Sequence, residues 1–338
     1  MIYFKNDYSE GAHPAILEAL ANNNMTQEEG YGLDDYTLQA TEKLKELMEN
    51  QNVDIHLLTG GTMTNLLTIS SSLRPHEACI AVDTGHIAVH ETGAIEQTGH
   101  KVITTQAIDG KITVDAITSV LRNHPDEHMV KPKMVYISNP TELGTVYSLD
   151  ELELISKYCK ESNLLLYVDG ARLGSALTLK SNQTTLSDLC RLTDAFFIGA
   201  TKNGALLGEA LIIVNEGLKE DFRYLIKQKG GLLAKGRVLG IQFYTLFKDN
   251  LYFDLANHAN EMAEILRHGL ETKSYDFFIQ SPTNQIFPIL NNDLIKRLEE
   301  EFAFYVWAPI DENRSAIRLV TSWATTKDAV TAFINALD

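Results

Sequence analysis

Short apolar segments alternate with longer amphipathic segments over the first 240 residues of this chain. The apolar segments are predicted to be strands, at residues 54–59, 78–83, 101–105, 134–138, 164–169, 195–199 and 210–214. Several amphipathic segments between them are predicted to be helices, including 64–73, 114–123 and 149–162. Strands joined through helices form a mostly parallel sheet that is covered on both faces, so the sequence predicts an α/β fold.

The pattern changes after Gly240, where two helical segments (241–250 and 253–270) precede short strands near residues 285–289, 305–308 and 316–320. A last helix follows. We therefore expect two domains, a large domain over residues 1–240 and a smaller C-terminal α+β domain over residues 241–338.

The charge balance limits the partners of the protein. The 45 acidic residues outnumber the 29 basic ones, for a net charge of −16. This argues against broad contact with nucleic acid or an anionic membrane. We expect a cytoplasmic protein, because its N-terminus lacks a signal-peptide pattern and its three cysteines are scattered. No metal site is expected.

The segment Gly60-Gly61-Thr62 follows a predicted strand and opens a helix. Glycines and a helix N-terminus together can bind a phosphate group. The alternative is a tight turn in which Thr62 caps the helix. The segment lacks the GK[ST] ending of a nucleotide-binding loop, so ATP chemistry is unsupported.

Two further motifs lie where apolar strands end. In YVDGAR, Asp169 can hold a cationic ring nitrogen and Arg172 can hold a carboxylate, although the two could simply form a local ion pair. In FIGATKN, Lys202 is suited to Schiff-base formation, although a solitary strand-end lysine usually faces solvent. An aspartate and a later lysine at successive strand ends are the arrangement of fold-type-I pyridoxal-phosphate (PLP) enzymes.

His86 and His90 have a spacing that could place two metal ligands on one helix face. The run GHIAVHETGA does not match the HExxH pattern, however, and no third ligand cluster is evident. His86 is better interpreted as a ring that stacks on PLP, and His90 is expected to be structural.

An ordered series of motifs then indicates a family. GGTMTN, GHIAVHETGAIE, NPTELGTVYSLDEL, VDGARLGSA, GATKNG, KGRVLGIQF and RLVTSWAT occur over nearly the whole chain. In this order they resemble the threonine aldolases, which are grouped with the β-eliminating lyases. The resemblance implies an aspartate-aminotransferase-like fold of type I, the cofactor PLP, and cleavage of L-threonine, L-allo-threonine or a related β-hydroxy-α-amino acid to glycine and an aldehyde.

The resemblance also implies a role for each matching residue. Lys202 would bind PLP covalently, with Thr201 beside it. Asp169 would bond the pyridine nitrogen and His86 would stack on the ring. The remaining implied residues contact phosphate or substrate: Gly61, Thr62 and Asn65 for the phosphate, Arg172 and Arg318 for the substrate carboxylate with Asn6 near it, and Tyr31 from a neighbouring subunit. Arg318 could instead be an ordinary surface arginine on a strand.

Three departures from the threonine aldolase pattern bear on the substrate. Asn6 precedes Asp7 where those enzymes have a serine, and Glu142 replaces the histidine of an ENTHN-type motif. Lys235 is expected to substitute for an arginine that contacts phosphate. The changes resemble a branch that includes phenylserine-type aldolases. The base that removes the β-hydroxyl proton could be Glu142 or a histidine.

Other functions stay open at this stage. The nearest alternative is a PLP-dependent β-eliminating lyase that releases a keto acid and ammonia, and an aminotransferase is less favoured by the motifs. A non-catalytic binding protein of the same fold is a third possibility, against which the intact Lys202, Asp169, Arg172 and Arg318 argue. By resemblance, a homodimer or homotetramer with shared active sites is expected.

Overall fold

The computed structural model describes residues 1–337. Within them the strands are β1 (Ile2–Tyr3), β2 (Asp54–Leu58), β3 (Glu77–Val82), β4 (Val102–Thr105), β5 (Lys131–Ser138), β6 (Leu165–Asp169), β7 (Ala195–Gly199), β8 (Glu209–Ile213), β9 (Phe277–Ile279), β10 (Gln285–Asn291), β11 (Phe302–Ala303), β12 (Tyr305–Pro309) and β13 (Arg314–Val320). The α-helices of the same residues are α1 (Pro14–Asn22), α2 (Asp35–Leu47), α3 (Gly61–Ser72), α4 (His86–Val89), α5 (Val114–Arg122), α6 (Leu149–Glu161), α7 (Leu173–Leu177), α8 (Leu186–Leu192), α9 (Phe222–Gln228), α10 (Arg237–Lys248), α11 (Leu251–Thr272), α12 (Asn292–Leu298) and α13 (Lys327–Asn335).

The large sheet has seven strands in the order β2-β8-β7-β6-β5-β3-β4. Strand β8 runs antiparallel to its neighbours β2 and β7, and the other pairs of adjacent strands are parallel. Every residue of β3, β6, β7 and β8 is buried, because helices cover both faces of the sheet. The predicted α/β fold with a mostly parallel sheet is confirmed.

Strands β6 and β7 approach each other closely at their carboxyl ends. The Gly199 amide donates to the Gly170 carbonyl oxygen at 3.0 Å. A Cβ atom on Gly170 would lie 1.9 Å from the Phe197 carbonyl oxygen, and one on Gly199 would lie 2.4 Å from the Ala171 carbonyl oxygen. Both positions therefore require glycine. This contact brings the segments that follow the two strands, Ala171–Arg172 and Ala200–Lys202, together at one edge of the sheet.

The C-terminal residues form a second, antiparallel sheet in the order β12-β13-β10-β9. A separate hydrophobic core lies against this sheet and includes Ile286, Leu319 and Phe333. The N-terminal strand β1 pairs with β11, and Phe4 is buried in this second core. The first residues of the chain thus pack on the C-terminal unit.

The predicted domain boundary at residue 240 falls inside α10. Phe243 and Phe247 of this helix belong to the core of the large sheet. The longer helix α11 contributes Tyr252 to that core and Leu266 to the second one. The division into two domains stays a prediction. This packing favours a boundary along α11, where the helix passes from the first core to the second.

The structure also describes the lengths of the helices and the state of the three cysteines. No helix within residues 1–337 is long and apolar enough to cross a membrane. Cys79, Cys159 and Cys190 are buried and free of disulfide bonds, and burial raises the pKa of each thiol.

Candidate active site

The residues expected to carry chemistry lie at the carboxyl edge of the large sheet, where parallel α/β sheets bind ligands. Asp169 ends β6, and Lys202 follows β7. Helix α4 begins at His86 shortly after β3, and Glu142 lies in the loop after β5. Because these parallel strands end at one edge, residues far apart in sequence surround a common space.

Asp169 is buried and accepts three hydrogen bonds. Tyr136 Oη donates to Oδ2 at 2.6 Å, Asn65 Nδ2 donates to the same oxygen at 3.1 Å, and the Ala171 amide donates to Oδ1 at 3.0 Å. Donors of this kind stabilise the ionised form of a carboxyl group. The sequence analysis missed Tyr136. The signal was its position on β5, two residues before Ser138, which pairs with Asp169.

The side chain of Asn65 is bonded to other side chains of the site. Its amide nitrogen donates to Asp169 and to Glu91 Oε1, the latter at 2.7 Å, and its oxygen accepts from Tyr167 Oη at 2.9 Å. Both amide hydrogens are thus engaged and the side chain is fully buried. Asn65 thus orients the Asp169 carboxylate, and its predicted contact with phosphate stays untested.

His86 is held by a buried carboxylate. Its Nδ1 lies 2.8 Å from Glu91 Oε1, the same oxygen that Asn65 contacts. Burial alone would lower the pKa of His86, but the hydrogen bond to Glu91 and the charges of Glu142 and Asp169 together raise it overall. Glu91 was also missed, although it stands in the quoted run GHIAVHETGAIE. The fixed ring suits the predicted stacking role.

Lys202 faces the cavity, and its amine has no hydrogen-bond partner within residues 1–337. Burial and the nearby charge of Arg172 lower the pKa of Lys202, which favours the neutral amine needed for nucleophilic attack. Behind it, Thr201 Oγ1 lies 3.0 Å from Glu209 Oε1 and accepts from the Gly208 amide at 3.0 Å. The predicted contact of Thr201 with the cofactor stays a prediction.

Arg172 forms a buried ion pair with Asp7. Its Nε lies 2.7 Å from Asp7 Oδ2, and its Nη2 lies 3.0 Å from Asp7 Oδ1. Asn284 adds a third hydrogen bond to Asp7, at 2.9 Å. Arg172 still reaches the cavity, and its Nη1 has no partner among the described residues. The neighbouring Asn6 accepts from the Tyr8 amide and the Ser9 hydroxyl, so its predicted substrate contact stays untested.

Arg318 is held by aromatic rings. It lies opposite Tyr305 in the pairing of β12 with β13. Its guanidinium carbon is 5.5 Å from the centre of the Tyr305 ring and 5.3 Å from that of Trp307. Its buried Nε lacks a hydrogen-bond partner in residues 1–337. Arg318 is therefore a desolvated cation that forms no ion pair with the described residues, which suits it to bind a carboxylate.

These side chains surround one cavity of about 470 Å3. Its lining residues are mostly polar or aromatic: Tyr8, His86, His90, Glu142, Arg172, Lys202, Tyr305, Val306, Trp307 and Arg318. A volume of this order accommodates a cofactor together with a small substrate.

The N-terminus of α3 supplies the expected site for a phosphate. The helix begins at Gly61, three residues earlier than predicted, and no side chain caps it. The first amides of the helix are therefore available to an anion. With Lys202, Asp169 and His86, this arrangement fits PLP, while the contacts of Gly61 and Thr62 with phosphate stay predictions.

Tyr31 and Lys235 lie away from this cavity but near each other. The Tyr31 amide donates to the Ala234 carbonyl at 3.1 Å, next to the exposed Lys235. Arg223 donates to the Tyr31 carbonyl at 2.7 Å, and Lys227 Nζ lies 4.6 Å from the centre of the Tyr31 ring. Within one chain neither Tyr31 nor Lys235 lines the Lys202 cavity, so their predicted roles stay untested.

The described part of the chain holds no cluster of three or more His, Cys, Asp or Glu residues that could bind a metal ion.

Comparison with known proteins agrees with this geometry. A family model described as beta-eliminating lyase matches residues 5–292. The chain belongs to the beta-eliminating lyase family. The resemblance inferred from the motifs is thereby confirmed, and the enzyme class expected of it, a PLP-dependent lyase, is confirmed with it.

Relatives within and beyond this family show the same likeness. A low-specificity L-threonine aldolase of Pseudomonas aeruginosa is 30% identical over 326 residues, which are 95% of this chain and 93% of the relative. The solved structure of a threonine aldolase from Leishmania major is 51% identical, with a TM-score of 0.98 over 100% of this chain and 98% of that one. An aspartate aminotransferase from Thermotoga maritima is only 12% identical to this chain. The two structures nevertheless match with a TM-score of 0.74 over 99% of this chain and 90% of the aminotransferase, which shows that they share the fold of type I.

Proposed function

We propose that this protein is a PLP-dependent aldolase that cleaves L-threonine, L-allo-threonine or related β-hydroxy-α-amino acids to glycine and an aldehyde. The observation that carries the proposal is one cavity shared by Lys202 and an unpaired Arg318, with Asp169 at the same sheet edge. The 51% identity to the Leishmania major threonine aldolase supports the choice of substrate.

Lys202 and Asp169 would hold the cofactor at its aldehyde carbon and its pyridine nitrogen. Lys202 would bind its aldehyde carbon, aided by the lowered pKa of the lysine amine. Asp169, supported by Tyr136 and Asn65, would keep a proton on the pyridine nitrogen. The chemistry that PLP supplies when bound is an electron sink for the bond that breaks at Cα.

Arg172 and Arg318 would bind the substrate carboxylate. Among residues 1–337, Arg318 has no counter-ion, and Nη1 of Arg172 has no partner beside the ion pair with Asp7. Two anchors fix the direction in which the Cα–Cβ bond projects, and a bond perpendicular to the cofactor ring breaks most easily. His86, fixed by Glu91, would lie against the ring and limit its movement.

We also propose a cytoplasmic homodimer or homotetramer with shared active sites. Tyr31 is 42% exposed although it is aromatic. Its neighbours Arg223, Lys227 and Lys235 form a basic surface, which is suited to the phosphate group of a cofactor bound by a second subunit. Mixing Lys202→Ala and Tyr31→Ala subunits tests this arrangement. Shared sites predict that the mixture regains part of the activity that each variant lacks, whereas self-contained sites predict no recovery.

The proposed reaction is tested with L-threonine, L-allo-threonine and L-phenylserine at saturating PLP. An aldolase releases aldehyde and glycine in equal amounts, and Lys202→Ala abolishes both. Release of a keto acid and ammonia would assign the protein to elimination chemistry, the other activity of its family. Binding of PLP with neither product would favour a non-catalytic protein.

A further inference from the structure

The proposed cleavage needs a group that accepts the proton of the β-hydroxyl, and the sequence leaves this group open between Glu142 and a histidine. The inference below rests on the proposed function. The side chains around the cavity that can accept a proton are Lys202, His86, His90 and Glu142. Lys202 is committed to the cofactor, which leaves three candidates.

His86 is unsuited to accept this proton. Its Nδ1 is bonded at 2.8 Å to Glu91, which is 5% exposed and is itself fixed by Asn65. Burial lowers the pKa of His86, but Glu91, with the charges of Glu142 and Asp169, raises it overall. With one ring nitrogen bonded to a buried carboxylate and its pKa raised, His86 is poorly suited to take a proton from a substrate.

His90 has the opposite environment although it is close by. It caps the C-terminus of α4, where its backbone amide donates to the His86 carbonyl at 2.9 Å, and the centres of the two rings are 5.5 Å apart. Neither ring nitrogen of His90 has a hydrogen-bond partner in residues 1–337. The ring is thus free to rotate toward a ligand in the cavity that it lines.

The charges around His90 favour its neutral form. Burial lowers the pKa of His90, and the positive charges of His86, Arg318 and Lys202 act in the same direction, while Glu142 opposes them. Two adjacent imidazoles with pKa values moved in opposite directions are suited to different roles in one reaction.

We propose that His90 is the general base that removes the β-hydroxyl proton during carbon–carbon cleavage. The proton moves from the substrate oxygen to a free ring nitrogen of His90, the oxygen forms the aldehyde C=O bond, and the electron pair of the Cα–Cβ bond stays on Cα. A solvent proton then reaches Cα to give glycine, and His90, exposed at the cavity mouth, returns its proton to solvent. Glu142 stabilises the imidazolium that forms.

The test compares two reactions of the holoenzyme. Cleavage of L-threonine needs a base at the β-hydroxyl, whereas exchange of a glycine α-proton with deuterated water needs the cofactor and the carboxylate anchors but no such base. His90→Asn is expected to lower kcat for cleavage by about 10²–10⁴-fold. In His90→Asn, the rate of glycine exchange and the absorption of bound PLP should remain within about twofold of wild type. The same two quantities should remain unchanged in the remote control variant His128→Asn.

The pH profile gives a second measure. Wild-type kcat/KM should fall at acid pH with a midpoint below the ordinary histidine value of about 6.5, because a protonated base cannot act. Glu142→Gln should keep this acid limb and move it to lower pH, since removing an anion lowers the pKa of His90 further.

Three results would overturn the assignment. His90→Asn could cleave threonine at the wild-type rate, it could lose cleavage and glycine exchange equally, or Glu142→Gln could abolish the acid limb. If wild type itself releases keto acid instead of glycine and aldehyde, the proposed function fails first, and the two failures are thus distinguishable.

Discussion

The carboxylate of Asp7 and the guanidinium of Arg172 form a two-point ion pair between residues 165 positions apart in sequence. The side chain of Asp7 is 1% exposed and that of Arg172 is 8% exposed. This pair ties the N-terminal segment, which packs on the C-terminal core, to the loop after β6. It thereby connects the two sheets at the cavity and orients one of the proposed substrate anchors.

Asp7→Asn should destabilise the protein by about 3–5 kcal/mol, because it leaves the Arg172 charge buried without its partner. Urea unfolding at pH 7 measures this loss. Glu153→Gln, which removes a partner of the exposed Arg191, is the matched control and should cost less than about 1 kcal/mol. Equal small losses for both variants would mean that the buried pair contributes little.

The same pair predicts a pH dependence. Burial alone would raise the pKa of Asp7, but the charges of Arg172 and Lys202 lower it overall. A carboxyl group with a lowered pKa in the folded state stabilises the protein above its unfolded pKa, and this contribution disappears as the pH falls through the folded value. Below about pH 4, wild type should therefore lose stability more steeply than Asp7→Asn.

Tyr136→Phe tests the hydrogen-bond network around Asp169. Removing the hydroxyl takes away the shortest bond to this carboxylate, a loss of about 1.5 kcal/mol or more for a charged acceptor. The dissociation constant of PLP should rise roughly 10-fold, as measured by titration of the apoprotein. Tyr158→Phe, which removes a hydroxyl bonded to Thr118 on a helix surface, should leave the constant unchanged. If Tyr136→Phe also leaves it unchanged, the network does not support cofactor binding.

Much of this site follows from local sequence patterns. Asp169 ends one buried apolar strand and Lys202 follows the next, so their common sheet edge could be predicted from strand alternation alone. Gly61 follows a strand in the same way. The strands can be located from the sequence alone, because a strand buried on both faces is an almost continuous apolar run.

The supporting contacts could not be predicted in this way. Glu91 and Tyr136 face Asn65 and Asp169 only because of the strand order, which places β5 between β6 and β3. The family resemblance assigns Asn65 to the phosphate, whereas in this structure the helix turns its side chain toward the sheet and the buried carboxylates. The pairing of Asp7 with Arg172 depends on an N-terminal segment that crosses to the C-terminal core, and no local pattern encodes that path.

Trp307→Leu tests the aromatic support of Arg318. The contact should contribute about 1–2 kcal/mol in this desolvated setting, so KM for L-threonine should rise roughly 5- to 30-fold with a smaller change in kcat. Tyr244→Leu removes a similar cation–ring contact, with Lys248, outside the cavity and should leave KM unchanged. A loss confined to kcat would contradict a role in holding the carboxylate anchor.

Glu209 should make the protein less stable at higher pH. Burial raises the pKa of this carboxyl group to about 8, although the charge of Lys202 acts against it. Between about pH 4.5 and pH 8 the unfolded chain ionises while the folded one keeps its proton, so the free energy of unfolding falls as the pH rises. Glu209→Gln removes this dependence, and its melting temperature should gain on wild type from pH 5 to pH 8. A constant difference would show that Glu209 is ionised in the folded protein.

The central claim, that Lys202 binds PLP, is tested most directly by reducing the PLP-loaded enzyme with borohydride and mapping its peptides by mass spectrometry. Reduction converts an imine between PLP and a lysine into a stable amine. We predict a single phosphopyridoxyl group on the peptide that contains Lys202, and none in Lys202→Ala treated in parallel. A label on another lysine, or an unlabelled wild-type protein that has been saturated with PLP, would contradict the account.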